Sequence, residues 1–352
     1  MKIGILGLSK SGKTTVFEAL TGLNLSNNLK EKFHISSVKV PDSRISFLSK
    51  IFNPKKTTFP TIDFLDYNSV GEKEEKFIDN EYFAKLKECD GILKVVRNFD
   101  SDIFPPHFGI ISPKKELEEL DDHIILTDLD IVEKRYEKLK NAKYKLSTNE
   151  VFELNSLEKF KNILSEGKHL NMFEFSQEEE KLIKNYSLIS AKKEIVLINV
   201  SSMDDQIDKG FIKFLDEKKR DYFIVSALNE KELNELDDES KKEFASDMKI
   251  DQFAIEKVIS RFYKILNLIT FLTVGEDEVR GWTIKDKTTA QKAAGKIHTD
   301  FERGFIKAQV VSFDDFQKYG SLKECAKNGV LRLEGKDYIV KDGDIIEFKF
   351  NL

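Results

Sequence analysis

The sequence predicts an α/β protein: a mostly parallel sheet with helices on both faces, interrupted by a helical coiled-coil insertion and followed by a small α+β domain. Three observations carry this. A short apolar strand at the N-terminus runs into a glycine-bracketed GxxxxGK[ST] loop and then a helical segment. Further short apolar strands, at 91–96, 195–199 and 222–226, are separated by helical stretches, as parallel strands joined by crossover helices must be. After Leu268 the texture changes to β-like runs divided by Gly and Asp turns.

In chain order, Ile3, Ile5 and Leu6 form the first strand. Gly7, Leu8, Ser9, Lys10, Ser11, Gly12, Lys13 and Thr14 complete a phosphate loop, and the helix behind it runs from Lys13 through Thr15 to Leu20. Gly7 and Gly12 let the backbone turn where a side chain would clash, so that successive N–H groups face an anion. Lys13 brings a point charge to the β/γ oxygens, and Thr14 offers a hydroxyl to Mg²⁺. Val16 and Leu20 lie one turn apart in the following helix, with Gly22 as its terminator. The helix N-terminus then sits under the phosphate. A nucleoside phosphate is the expected ligand.

A chain of 352 residues has room for two or three domains. A net charge of −5 excludes a chain-wide polyanion binder, so any nucleic-acid contact needs a local basic patch. Cys89 and Cys325 lack metal-ligand spacing and read as free thiols of a reducing compartment. No signal peptide precedes the first strand and no apolar run reaches membrane-spanning length, so a cytoplasmic location is expected.

Residues 23–37 are polar and without a clean period, where a nucleotide-sensing switch would lie. A strand over 38–42 and a helix over 43–51 follow. The alternating run 61–66 ends in Asp66, which reads either as a solvated strand end or as a Mg²⁺ ligand acting through water. Leu129, Val132, Tyr136 and Leu139 are helically spaced over 127–145, and further helical runs cover 150–164 and 177–186. They read as a coiled-coil hairpin, structural or an arm that docks on something large. An amphipathic helix spans 251–267. In the last domain Arg280, Lys285, Lys287, Lys292, Lys296, Arg303 and Lys307 outnumber Asp286, Asp300 and Glu302. That excess is either a phosphate-facing patch or a solvated surface.

Several stretches carry a family resemblance. LITFLTVGEDEVRGWTIKDKTTAQKAAGKIHTDFERGFIKAQVVSFDDFQKYG and LRLEGKDYIVKDGDIIEFKFNL, with TDLDIVEKRYEKL, VPDSRISFLSKIFNPKK and SALNEKELNELDDE, resemble the YchF/EngD-type proteins of the Obg family of phosphate-loop GTPases along nearly the whole chain. The resemblance implies a Ras-like G domain (residues 1–127 and 190–267), a helical coiled-coil insertion (128–189) and a β-grasp-like TGS domain (268–352). It implies a cytoplasmic, Mg²⁺-dependent ATP- or GTP-hydrolysing protein that associates with ribosomes and usually prefers ATP, with the TGS domain and arm contacting rRNA or ribosomal protein.

The departures from the family pattern are informative. The family loop reads GLPNVGKS; here Lys10 replaces the Asn that helps hold a monovalent cation in related GTPases. The Lys10 ammonium then either takes that place as a tethered cation or faces solvent. The family's DxxG becomes Asp66-Tyr67-Asn68-Ser69, so the N–H that grips the γ-phosphate falls to Ser69, and Val70 follows. Lys13, Lys10 and Ser69 are the catalytic candidates. In place of a guanine-reading NKxD stands Asn199-Val200-Ser201-Ser202, with no acid at the right spacing and Asp204 and Asp205 too late. Losing that bidentate acceptor removes guanine preference, so adenine or weakly selective binding is expected, with ATP the favoured nucleotide. Ser226-Ala227-Leu228 matches the family's SAK-like base loop.

Two functions are consistent with these residues: a slow ribosome-associated ATPase/GTPase switch, or a hydrolysis-deficient nucleotide-binding adaptor acting on RNA or ribosomes. A metabolic kinase is disfavoured because no acceptor-binding lid is visible.

Overall fold

The computed structural model describes residues 1–25, 32–67, 80–248, 250 and 252–351. Its strands are β1 (Lys2–Gly7), β2 (Phe33–Lys39), β3 (Lys56–Thr58), β4 (Thr61–Tyr67), β5 (Gly91–Asn98), β6 (Lys193–Val200), β7 (Tyr222–Val225), β8 (Leu268–Thr273), β9 (Glu278–Lys285), β10 (Phe305–Ser312), β11 (Arg332–Glu334) and β12 (Asp344–Phe350). The chain forms two compact units.

The first unit comprises Met1–Ser37 and Asp63–Lys257. Its sheet has the order β2-β4-β1-β5-β6-β7, and β4, β1, β5, β6 and β7 are mutually parallel. The central strands are buried on both faces, which is why they read as apolar runs rather than alternating ones. Helices Asn80–Lys87, Pro113–Lys140 and Lys209–Glu217 supply Tyr82, Leu86, Leu117, Leu120, Phe211 and Leu215 to one core with Leu6, Ile92, Val96, Val196 and Ile198.

Helix Pro113–Lys140 is longer than the predicted helix from Thr127. Proline at its start suits the first turn, where no N–H is needed. Leu117, Leu120 and Ile124 keep the helical spacing that packs it on the sheet. Its second half carries Val132, Tyr136 and Leu139 into a separate core with Leu157, Phe160 and Leu164 of helix Thr148–Ser165. The expected domain boundary at 127/128 therefore falls inside one continuous helix. Ser147 with Glu150, and Ser176 with Glu179, form reciprocal capping boxes that start helices Thr148–Ser165 and Gln177–Tyr186. Arg135 grips Glu153 through two hydrogen bonds of 2.8 Å.

A buried charge cluster lies at the root of this arm. Lys94 of β5 lies 2.6 Å from Asp121 and 2.5 Å from Glu194 of β6. Arg220 lies 2.5 Å from Asp121 and 3.6 Å from Glu194. His169, on the chain returning from the arm, places Nε2 3.2 Å from Asp121. Asp121, His169 and Glu194 converge as metal ligands do, but Lys94 and Arg220 already supply the countercharge. Burial alone would raise both carboxyls; the charges of Lys94, Arg220 and His169 outweigh it and hold both below the usual range.

The second unit comprises Val38–Ile62 and Val258–Leu352. Its sheet has the order β11-β10-β12-β8-β9-β3. β12 and β8 are parallel at the centre, flanked by the antiparallel pairs β10/β12 and β8/β9. Helix Ala290–Ile297 packs Ala290, Ala293 and Ala294 on one face against Phe271, Val310 and Phe348. On the other face Ile45 and Leu48 of helix Ser43–Phe52 join Leu272, Val279, Val311, Phe316 and Ile345.

Residues 38–62 were expected with the phosphate-loop domain, and the structure places them here instead. Helix Ser43–Phe52 starts on Asp42, whose carboxylate accepts from the Arg44 N–H, and Arg44 also pairs with Asp342 at 2.7 Å. β3 adds an edge strand through Lys56↔Glu278. Gly281 fits beneath that helix because a Cβ there would lie 2.6 Å from Ile45 Cδ1.

Because Asp121 and Glu194 are held below their ordinary values, the cluster's contribution is complete at neutral pH and is lost only as pH falls below the ordinary carboxylate range. Lys94→Met leaves two buried carboxylates short of a cation. It should lower stability by about 3–5 kcal/mol in urea unfolding at pH 7; an unchanged midpoint would show that the cluster is not a structural keystone.

Candidate nucleotide-binding site

β1 delivers Gly7 to the mouth of the sheet, and helix Lys13–Thr21 leaves on the far side of the loop. Both glycines are required by space. A Cβ on Gly7 would lie 2.6 Å from Ser11 Oγ and from the Val95 carbonyl. Gly12 has φ +87°, and a Cβ there would lie 2.3 Å from Asn199 Nδ2. Lys10 also takes a left-handed conformation, φ +66°, which a lysine adopts only at a cost. Lys10 and Ser9 are exposed, while Leu8 and Ser11 are buried. No side chain caps the helix at Gly12, which leaves its N-terminal end open to an anion.

The charged pair at the centre is Lys13 and Asp66. Lys13 Nζ donates to the Leu8 carbonyl at 2.9 Å, folded back over its own loop. Thr14 Oγ1 donates to Asp66 Oδ2 at 3.0 Å. The other Asp66 oxygen and Ser11 Oγ are buried without a hydrogen-bond partner. Burial pushes Asp66 up and Lys13 down, and the attraction between them opposes both shifts. A hydrated Mg²⁺ and a phosphate chain fit this donor set: a hydroxyl, an orphaned carboxylate oxygen, an ammonium and an uncapped helix end. The strand-end reading of Asp66 as a solvated carboxylate is therefore set aside, since Asp66 has no exposed surface.

Asn199 is nearly buried and works as a strut. Its Nδ2 donates to the Ser11 carbonyl at 3.1 Å, and its Oδ1 accepts from the Ala227 N–H at 3.2 Å. The phosphate loop, the end of β6 and the loop after β7 are thus joined by one amide. Ser226 Oγ donates to the Ser201 carbonyl at 2.8 Å, and Leu228 is exposed. Asp205 Oδ2 accepts from the N–H groups of Ser201 and Ser202 at 2.7 and 3.1 Å. That carboxylate closes its own loop.

Ser69 and Val70 lie outside the described residues, as does part of the polar stretch before β2. Ser37, at the end of the polar stretch in which a switch was expected, donates its Oγ to Asp63 at 2.5 Å. The basic residues of the last domain are spread over several elements. Arg280 stacks on Trp282 at 3.9 Å and lies on the face of β9 opposite Lys285. Lys287 sits in a left-handed turn, and Lys292 and Lys296 share one exposed helix face. Arg303 ends the next helix, and Lys307 of β10 faces Lys349 of β12.

The structure adds residues that the sequence did not single out. Phe99 brings a ring atom to 3.7 Å from the Cβ position of Gly12. Glu116, buried in the first turn of helix Pro113–Lys140, accepts from the Arg97 N–H at 2.8 Å and feels the charge of Lys13. Burial pushes its carboxyl up to about 7. His34 is buried with Nε2 unpartnered, close enough to Asp66 to draw that carboxyl down. An arginine next to a strand end, a strand histidine and a glutamate after a proline carry no local motif, so only tertiary packing discloses them.

The sheet order, the loop and the Thr14–Asp66 pair define a phosphate-loop protein of the nucleotide-binding α/β class. Residues 268–351 match the YchF-GTPase_C family, described as a protein of unknown function (DUF933). The chain is 32% identical over 362 residues to the ribosome-binding ATPase YchF of Bacillus subtilis (strain 168), covering 99% of both chains. It is 34% identical over 362 residues to the ribosome-binding ATPase YchF of Pasteurella multocida (strain Pm70), covering 100% of this chain and 99% of that one. The structure of the Schizosaccharomyces pombe YchF GTPase superposes with a TM-score of 0.86 at 28% identity, covering 99% of this chain and 97% of that one. The chain belongs to the YchF family.

Glu116 gives this site a pH signature. The native carboxyl binds its proton more tightly than the unfolded chain, whose ordinary value is 4.5, so stability is full below that pH and falls as pH rises toward about 7. Glu116→Gln removes this slope. In nucleotide-free protein the loss of stability between those pH values should shrink by about 3 kcal/mol in urea titrations; parallel profiles for both proteins would rule out an ionising Glu116.

Proposed function

We propose that this chain is a Mg²⁺-dependent phosphate-loop NTPase of the cytoplasm that favours ATP over GTP, turns over slowly and acts as a switch on the ribosome. The observation that carries the nucleotide reading is the hydrogen bond from half-buried Thr14 to buried Asp66, beside the orphaned Ser11 hydroxyl and Asp66 oxygen. Gly7, Leu8, Ser9, Lys10, Ser11, Gly12, Lys13, Thr14 and Thr15 would wrap the phosphates. Thr14 and Asp66 would hold Mg²⁺, Asp66 through water. When bound, the metal supplies charge neutralisation on the phosphate oxygens.

Lys13 would leave the Leu8 carbonyl for the β/γ-phosphate, and Ser69 would present its N–H to the γ-phosphate. Asn199, with Ser226, Ala227 and Leu228, would frame the base. The absence of an acid at 202, and the engagement of Asp205 with its own loop, support adenine over guanine. The printed name of the bacterial relatives supports the ribosome as partner. The last domain, read as TGS, would contribute its scattered lysines and arginines to RNA. An adaptor that binds nucleotide without hydrolysing it remains the competing function, supported by the departures at Ser69 and Ser202.

Calorimetric titration with Mg-ATP and Mg-GTP tests the reading. ATP should bind at least about tenfold more tightly than GTP, and Lys13→Ala should weaken ATP by a similar factor or more and abolish phosphate release. Equal or reversed preference would overturn the base assignment. No phosphate release by the wild type, with binding intact, would favour the adaptor.

Lys10 yields a separate test. With its ammonium as the tethered cation, exchanging sodium for potassium should leave wild-type phosphate release unchanged, and Lys10→Asn should acquire potassium stimulation. Potassium stimulation of the wild type would place Lys10 in solvent.

A further inference from the structure

The segment between β5 and helix Pro113–Lys140 is strongly apolar and faces outward. Ile103 is 80% exposed, Phe104 51%, Ile110 57%, and Phe108 and Ile111 are also exposed. Such a density of exposed large apolar side chains in one short loop marks an interaction site.

The segment is also built. Arg97, only 1% exposed, holds it from beneath. Its Nε donates to the Phe99 carbonyl at 2.9 Å, Nη2 to the Phe104 carbonyl at 2.8 Å and Nη1 to the Pro105 carbonyl at 3.3 Å. The guanidinium also lies 4.6 Å from the centre of the Phe99 ring. Phe104 N–H donates to Ser101 Oγ, and Gly109 takes φ +70° in a turn closed by its N–H to the Pro106 carbonyl. A buried arginine spending its donors on loop carbonyls fixes the backbone, so that little ordering entropy is lost when the apolar tip is covered.

We propose that residues 100–112 form a protein-docking loop whose partner is a basic ribosomal protein presenting an apolar cleft. This rests on the ribosome reading above. The chemistry of the loop chooses protein over RNA: its only formally charged side chains at neutral pH, Asp100 and Asp102, are acidic and exposed, and it holds no lysine or arginine. A phosphate backbone is repelled by such a surface, whereas an apolar cleft with a basic rim complements it. The loop also leads from Phe99, beside Gly12 of the phosphate loop, so the docking element and the nucleotide loop are neighbours in the first unit.

The full-length chain with Ile103→Ser and Ile110→Ser should lose affinity for salt-washed ribosomes by about tenfold in sedimentation. Its ATP affinity should not change, because neither residue belongs to the nucleotide site. A photo-crosslinking phenylalanine analogue in place of Ile110 should label a ribosomal protein. Undiminished sedimentation of the double variant, or a crosslink to rRNA or to a second copy of the chain, overturns the proposal. If the wild type itself fails to sediment while binding ATP, the ribosome reading falls, and this inference with it.

Discussion

Everything at the nucleotide end of the first unit depends on a buried carboxylate facing a lysine that is folded back over its own loop. Asp66 has no exposed surface and one oxygen without a partner, and burial alone disfavours its charge. Lys13 suffers the opposite shift from the same cause. Each partly offsets the burial of the other, as an ion pair in a low-dielectric site does. In the proposed complex a phosphate chain would face Lys13 and a divalent cation would face Asp66. On that proposal, stability rises with nucleotide concentration by mass action.

The second constraint is the single amide of Asn199. It joins the Ser11 carbonyl to the Ala227 N–H, so the phosphate loop and the loop after β7 are tied to each other. Gly12 has to be glycine partly because that amide sits where its side chain would be. The same neighbourhood accounts for Asp205. An acid three positions past Ser202 reaches back to the N–H groups of Ser201 and Ser202 and stops the loop from unravelling. Its charge is spent on backbone, which separates it from a carboxylate waiting for a guanine edge.

What the sequence made legible was local. The phosphate loop, the parallel strands and the capped arm helices are written in short-range patterns, and each lies where its spacing put it. Non-local pairing was opaque. Residues 43–51 read as a helix whichever core receives them; the pairing of β3 with β9 and the space over Gly281 show that helix Ser43–Phe52 joins the C-terminal unit. Helix Pro113–Lys140 was cut short because its first half packs on a sheet and its second half on another helix, so its apolar stripe changes partner midway. Arg97, Glu116 and His34 look like surface residues in a one-dimensional pattern and are buried by tertiary contacts alone.

That long helix gathers the chemistry of the first unit onto one rigid rod. At about 1.5 Å per residue its full length is on the order of 40 Å. Glu116 in its first turn feels Lys13, and Asp121 a turn later anchors the cluster of Lys94, Glu194 and Arg220. Beyond them Val132 and Leu139 form the core of the arm. The loop pinned by Arg97 enters the same helix at Pro113. Glu116, whose carboxyl feels Lys13, thus lies on the element that carries the arm and directly follows the exposed apolar loop. No flexible joint lies between Glu116 and Leu139, because the helix is unbroken across that span. Side chains packed on a continuous helix move with it, and the buried ion pairs at its root make independent motion of that root costly.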